Sequence, residues 1–160
     1  MRRMCETAAE TVLLRVPICR LPGHDDVPLP DYQSAHAAGM DIHAAVAEPL
    51  VIAPGQRMLV PTGFTMAVPE GYEAQIRPRS GLAYKHGLSV PNAPGTIDAD
   101  YRGQVKVLLV NLGSEPVTVT RGMRIAQMLI KPVPRVTWDV VDQLPSSERG
   151  DGGFGHTGYH

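Results

Sequence analysis

Turn-forming residues interrupt this chain too often for long helices. Its 160 residues include 16 glycines and 15 prolines, and both disfavour helix interiors. The apolar runs between them are short. Val12, Leu14, Val16 and Ile18 alternate with other residues, a strand pattern over 11–19. Further β-like runs fall at 39–45, 50–52, 56–60, 64–68, 72–77, 88–90, 104–111, 117–120, 125–130 and 136–141. Pro54-Gly55, Gly71, Pro94-Gly95, Gly113 and Arg121-Gly122 punctuate them. Many short strands at close spacing predict an all-β barrel or sandwich. One segment differs: residues 80–87 predict a single short helix, with Ser80 capping its start and Gly87 ending it. Aromatic residues make up 5% of the chain, so the core falls to Val, Ile, Leu, Met and Ala.

The formal net charge of −1 excludes a strongly basic nucleic-acid binder and a polybasic membrane-surface protein. The two cysteines, Cys5 and Cys19, lack zinc-site spacing and cannot make a disulfide framework. They read as free thiols in a reducing compartment. No run reaches the ~18 apolar residues of a membrane span. Arg2 and Arg3 suggest a signal n-region, but Glu6 and Glu10 interrupt the stretch that would follow. The expectation is a cytoplasmic protein with no membrane and no nucleic-acid partner. Its organisation reads as a polar leader over 1–10, a β domain over 11–144 and an arm over 145–160. The arm holds five glycines and few large apolar groups, too little to order itself alone.

Three segments carry candidate chemistry. Arg79-Ser80-Gly81 stands at the helix start, where unpaired backbone N–H groups attract anions. It reads as a phosphate cradle or as an ordinary capped helix beside a surface arginine. The stretch 92–103 holds Pro94-Gly95, a turn signal that predicts a hairpin. Asn92 there offers a donor and an acceptor to a base edge, or simply forms the turn. Asp98 follows the apolar Ile97, which suits a water-activating base in a partly dry pocket, or it is a solvated loop acid. Tyr101 reads equally as core packing. In the tail, residues 150–157 nearly spell a phosphate-binding P-loop, with His156 in the lysine position. A P-loop follows a strand and opens a helix, and no helix can follow here. Glycine-rich backbone still wraps phosphate, Arg149 suits its oxygens, and Phe154 suits a flat ring. The six histidines show no paired ligand spacing. A magnesium ion held by ligand phosphates needs no protein motif.

Taken in order, five segments resemble the motifs of the trimeric dUTP diphosphatase family. They are residues 38–44 (Ala-Gly-Met-Asp-Ile-His-Ala), 77–83 (Arg-Pro-Arg-Ser-Gly-Leu-Ala), 92–103, 121–127 (Arg-Gly-Met-Arg-Ile-Ala-Gln) and 149–158. The similarity runs from about Val12 to Gly158. It implies a jelly-roll-like β-barrel with one short helix, assembled as a homotrimer. Three shared sites would each take motifs one, two and four from one subunit, motif three from a second and the tail from the third.

The resemblance also implies roles. The substrate would be dUTP and the products dUMP and pyrophosphate. That reaction limits uracil incorporation into DNA and supplies dUMP for thymidylate synthesis. Asp98 would activate water for attack at the α-phosphorus, with Mg²⁺ held by the triphosphate's own oxygens and water. Arg79, Ser80, Gly81 and Gln127 would hold phosphates. Asn92, Gly95, Thr96, Ile97 and Lys106 would contact the nucleotide, and Tyr101 would press on the deoxyribose. A tight bend there would reject the methyl group of thymine. Asp41 would support the metal-water and arginine network. On closure Arg149 would reach the γ-phosphate, Phe154 would stack on uracil, and Gly155, His156 and Thr157 would complete the flap. Two departures stand out: His156 replaces a serine common in relatives, and Gln104 replaces a glutamate.

Two alternatives belong to other classes. Similar dCTP deaminases carry an arginine where Tyr84 stands and a catalytic glutamate where Leu108 stands. An apolar Leu108 moves no protons. A non-catalytic nucleotide-binding trimer would not need Asp98 and the complete tail.

Overall fold

Alternation of small and branched apolar residues builds the sheets. The structure, a computed structural model, describes residues 13–153. In chain order the elements are β1 (Ile18–Arg20), β2 (Asp31–Tyr32), β3 (Met40–His43), β4 (Leu50–Ile52), β5 (Arg57–Pro61), β6 (Phe64–Met66) and β7 (Tyr72–Arg77). They continue with α1 (Ser80–His86), β8 (Leu88–Ser89), β9 (Gly95–Ile97), β10 (Lys106–Asn111), β11 (Val117–Val119) and β12 (Arg124–Pro132). The largest sheet runs β2-β3-β12-β7-β9. A second runs β5-β10-β8, and the pairs β1-β6 and β11-β4 complete the set. The expected mostly-β chain with one short helix is what forms, as four sheets among the described residues.

The inward faces of these sheets meet in one core. In β7 only Ala74 and Ile76 are buried, and in β10 Val107, Leu109 and Asn111 are buried, the two-residue period of a one-sided strand. Phe64, Ile42, Ile52, Leu88, Val60, Val119 and Ile125 complete the interior. Asn111 is fully buried yet well bonded. Its amide donates to Ile52 O and Glu115 O, both at 2.8 Å, and its carbonyl accepts from Gly113 N at 2.9 Å. That network joins the β10–β11 turn to β4. Gly87 and Gly113 pack so closely that a Cβ on Gly87 would stand 2.3 Å from Gly113 N. Gly87 also ends α1 at φ 67°, the left-handed cap expected for it.

Arg121 pins the 23–26 loop. Its guanidinium donates to both carboxylate oxygens of Asp26 at 2.7 Å and to Gly23 O at 2.9 Å. These bonds hold the Asp26 carboxyl at about 2, below its ordinary 3.8. A depressed carboxyl stabilises the fold above its unfolded pKa and loses that contribution as pH falls through its folded value. Replacing Asp26 with Asn should therefore lower Tm at pH 6, and the difference from wild type should narrow toward pH 2. The pair is exposed, so salt should shrink the difference as well.

Four local expectations are corrected. Of the strand expected over 11–19, residues 11 and 12 lie outside the described residues, and the described part pairs only from β1 onward, because Pro17 cannot donate to a ladder. Residues 136–141 form no strand. Val136, Trp138 and Val140 are 70%, 85% and 93% exposed, with no neighbouring strand to pair with among the described residues. Segment 88–97 is not a self-paired hairpin: β8 pairs with β10, and β9 pairs with β7. The turn closes one step earlier than Pro94-Gly95, with Ala93 N donating to Val90 O at 3.0 Å. Finally, Arg79 rather than Ser80 is the N-cap of α1, and no side chain caps the helix.

Candidate active site

Three of the five sequence segments converge through strand register. β12 lies between β3 and β7, so Asp41, Gln127 and Arg77 fall in one row across three strands. Beyond Arg77 the chain turns at Pro78 into α1. Gln127 Nε2 donates to Pro78 O at 2.9 Å and so braces that turn. Gly39 makes this possible, since a Cβ there would stand 2.5 Å from Gln127 Oε1. Asp41 is 8% exposed and accepts from Arg79 Nε at 3.1 Å and from Arg124 Nη1 at 3.2 Å. One charge-assisted bond fixes the Arg79 guanidinium on Asp41, and the other ties Arg124 to the same carboxylate. His43, two residues along β3, has Nδ1 buried without a partner. Burial lowers its pKa; Asp41 opposes that shift and Arg124 and Arg79 reinforce it.

These groups line a cleft of about 490 Å³ with Asp41, Arg79, Ser80, Gly81 and Gln127 on its walls. Leu82, Lys85 and His86 join them, and the sequence reading missed all three. Their signal was helical spacing: Lys85 lies four residues after Gly81, on the same face. Arg124 was missed as a partner of Asp41, although it stands within the fourth motif. Two or three cations around unfilled backbone donors make a seat for a polyanion.

The 92–106 segment builds a different cleft. Thr96, Ile97, Asp98, Tyr101 and Lys106 line about 460 Å³ together with Gln104, Val105 and Leu59. Leu59 was not foreseen; it is 55% exposed on β5, and only an apolar side chain on an outward strand position marked it. Tyr101 is not core packing. Its ring is 45% exposed, and its hydroxyl donates to Gln104 O at 3.0 Å. Asp98 is exposed, not partly dry as expected, because β9 ends just before it at the sheet margin. Asn92 is exposed, and its amide nitrogen lies 3.0 Å from where a Cβ on Gly95 would stand. A side chain on Gly95 would therefore press on the Asn92 amide and require it to shift.

The two clefts are separate in one protomer. Ile97 pairs with Ala74, so Asp98 lies level with Glu73, while the Asp41–Gln127–Arg77 row crosses at Arg77. Four residues of strand separate those levels, about 13 Å, and Ser80 lies farther on. Of the fifth segment, Arg149 is described and its Nε donates to Gly152 O at 2.7 Å. Phe154, Gly155, His156 and Thr157 lie outside the described residues.

The sheet carries a cleft lined by Arg79 and Lys85 at one end and an acid beside an exposed tyrosine at the other. The dUTPase family model matches residues 25–158, and the chain belongs to the dUTPase family. Solved structures agree. The dUTPase of Staphylococcus bacteriophage 80alpha with dUPNHPP is 26% identical over 90% of this chain and 98% of that one, with a TM-score of 0.76. A mutant of the phage 80alpha dUTPase is 25% identical over 89% and 98%, with a TM-score of 0.77. A mutant dUTPase of phage phi11 of S. aureus, reported with a coordinated structural Mg(II) ion, is similar in fold at 21% identity over 83% and 100%, with a TM-score of 0.73. Among the described residues no helix is long and apolar enough to cross a membrane.

Proposed function

We propose that this chain hydrolyses dUTP to dUMP and pyrophosphate at sites assembled from three copies of itself. The observation that carries the reading is the division into two clefts. One protomer holds the phosphate-gripping groups and the acid–aromatic bend about 13 Å apart along the strands, too far to meet at one α-phosphorus. A closed trimer lets the first cleft of one subunit face the second cleft of its neighbour. The segment before the arm supports the same assembly: Trp138, Val140 and Leu144 are 85%, 93% and 80% exposed, apolar surface that a neighbouring copy would cover.

In the assembled site Arg79, Ser80, Gly81 and Gln127 hold the triphosphate. Thr96, Ile97, Lys106 and Tyr101 hold the nucleoside, with Asn92 and Gly95 shaping the bend. Tyr101, ring exposed and hydroxyl tied back, presents its flat face to the deoxyribose. Asp98 takes a proton from a water, and the oxygen attacks the α-phosphorus. The bond to the bridging oxygen breaks, and pyrophosphate leaves with the electron pair. Arg149, Phe154, Gly155, His156 and Thr157 form the flap of the third subunit, and the arm over 145–160 closes over the bound nucleotide.

Magnesium fits this donor set as a passenger on the substrate. Among the described residues no group of three or more His, Cys, Asp or Glu is arranged to hold a metal ion. Asp41, the acid beside the phosphate seat, is already engaged by two arginines. The triphosphate oxygens and water would hold Mg²⁺, which neutralises developing charge. We place the enzyme in the cytoplasm, where the exposed free thiol of Cys19 stays reduced.

A substrate panel tests the reading. With Mg²⁺, dUTP should release pyrophosphate, dTTP should not, and dCTP should release no ammonia. Ammonia from dCTP would mark a deaminase, although Leu108 sits opposite Leu59 in mid-strand and offers no proton-carrying group. Binding of dUTP without turnover would mark a sensor.

Removing residues 149–160 should leave a trimer by gel filtration and lower kcat/KM on the order of 100-fold, through lost alignment and water exclusion. Loss of the trimer itself would make the segment a structural strap instead of a flap.

A further inference from the structure

The loop that carries Asp98 has little backbone bonding of its own. Between β9 and β10 it runs as coil, and within it Tyr101 N donates to Asp98 O at 3.2 Å. Its far end is fixed where Val105 N donates to Phe64 O at 3.0 Å. Side chains supply the rest. Arg102 Nη1 donates to Ala99 O at 2.6 Å and to Tyr101 O at 2.9 Å. Tyr101 Oη donates to Gln104 O at 3.0 Å. Gly103 lets the ring fold back, since a Cβ there would stand 2.7 Å from Tyr101 Cζ.

Arg102 also lines a cleft of about 650 Å³ with Glu70, Glu73, Asp98, Asp100 and Arg135. It pairs with none of these acids, and among the described residues its hydrogen bonds go to backbone carbonyls. An arginine surrounded by carboxylates yet bonded to two carbonyls is acting on backbone shape. The carbonyls it ties belong to the residues directly after Asp98 and at the sugar-facing tyrosine.

We propose that Arg102 is a positioning residue, a staple that fixes the turn 98–102 so that Asp98 and Tyr101 keep one spacing. This rests on the assignment of Asp98 as the base. It acts through the Ala99 and Tyr101 carbonyls on the two residues assigned to water and sugar. Misplacing a reacting group by about 1 Å costs on the order of 100-fold in rate. The staple therefore controls kcat more than binding.

Arg102→Met, Arg102→Lys and Asp98→Asn are compared in the full-length trimer, with kcat and KM for dUTP, affinity for dUPNHPP, and thermal melting. Arg102→Met should lower kcat by about 10- to 100-fold while KM and analogue affinity stay within about threefold. Arg102→Lys, one bond shorter in reach, should recover part of kcat, and added guanidinium ion should recover part of the Met variant. Unchanged kcat in Arg102→Met overturns the staple. So does a loss carried by KM alone, which marks a charge that attracts substrate. Should Arg102→Met not form the trimer, Arg102→Lys decides: reduced kcat at constant KM supports the staple, and wild-type kcat overturns it. Full activity in Asp98→Asn sinks the base assignment itself, a different outcome from failure of the staple.

Discussion

Asp98→Asn should bind dUTP nearly as well as wild type and turn it over 100- to 10,000-fold more slowly, the usual range for losing a general base. The substitution keeps shape and removes one property, a carboxylate able to accept the water's proton. Asp98 follows the last residue of β9, and the strand holds its base firmly: Ala74 pairs with Ile97 and Gln75 with Thr96. Tyr101 N donates to Asp98 O, and Arg102 ties the carbonyls of Ala99 and Tyr101, so the turn beyond is held as well. An Asn fits that backbone without strain. The loss should therefore appear in kcat, with KM and dUPNHPP affinity moving little. Pyrophosphate release measures the first and calorimetry the second. A decrease under tenfold would refute the role, because Asp98 is the acid that the described residues bring to the 460 Å³ cleft beside Tyr101. In that case the water would need its base from another subunit or from the nucleotide.

Much of this was legible in the residues. Short apolar runs set off by Pro and Gly marked most strands, because alternation decides which face is buried. The β7 and β10 patterns follow it residue by residue. Gly87 marked the end of α1 for the same local reason, a left-handed cap. Pairing partners were not legible. Residues 88–97 look like a hairpin, yet β8 and β9 are recruited by β10 and β7, and neighbouring sheets outbid the local turn. The apolar stretch 136–141 was equally misleading. Its side chains alternate like a strand, but pairing is a property of what lies alongside, and among the described residues of one protomer no strand does.

The site divides the same way. Ordered motifs singled out Asp41, Arg79, Ser80, Gly81, Gln127, Asp98 and Tyr101 as candidates. Geometry was needed to find the brace from Gln127 to Pro78, the pairing of Asp41 with Arg124, and the Leu59 wall. Such contacts join residues 49 and 83 positions apart, and no local pattern encodes them. Gly39 and Gly103 belong to both groups. Each is visible as a glycine, but only the neighbouring Gln127 amide and Tyr101 ring explain why a methyl group has no place there.

Mixing two dead variants should restore activity. Asp98→Asn chains retain Arg79, and Arg79→Ala chains retain Asp98. Within one chain the two groups occupy separate clefts, lined by different residues. If a site takes its phosphate grip from one subunit and its base from another, neither pure trimer holds a complete site. In trimers refolded from an equal mixture, about one site in four pairs an intact grip with an intact base. Activity should return to about a quarter of wild type, against near zero for either variant alone. The gain depends on co-refolding, since intact trimers mixed after assembly keep their defects until subunits exchange. A complete site within each chain gives the opposite result, because every chain in the mixture is broken and no arrangement repairs it. Arg79→Ala also unpairs one side of Asp41, but Arg124 still donates to its other oxygen, so the carboxylate keeps a partner. The variant should therefore assemble, and gel filtration of the co-refolded sample confirms that the recovered turnover belongs to the trimer.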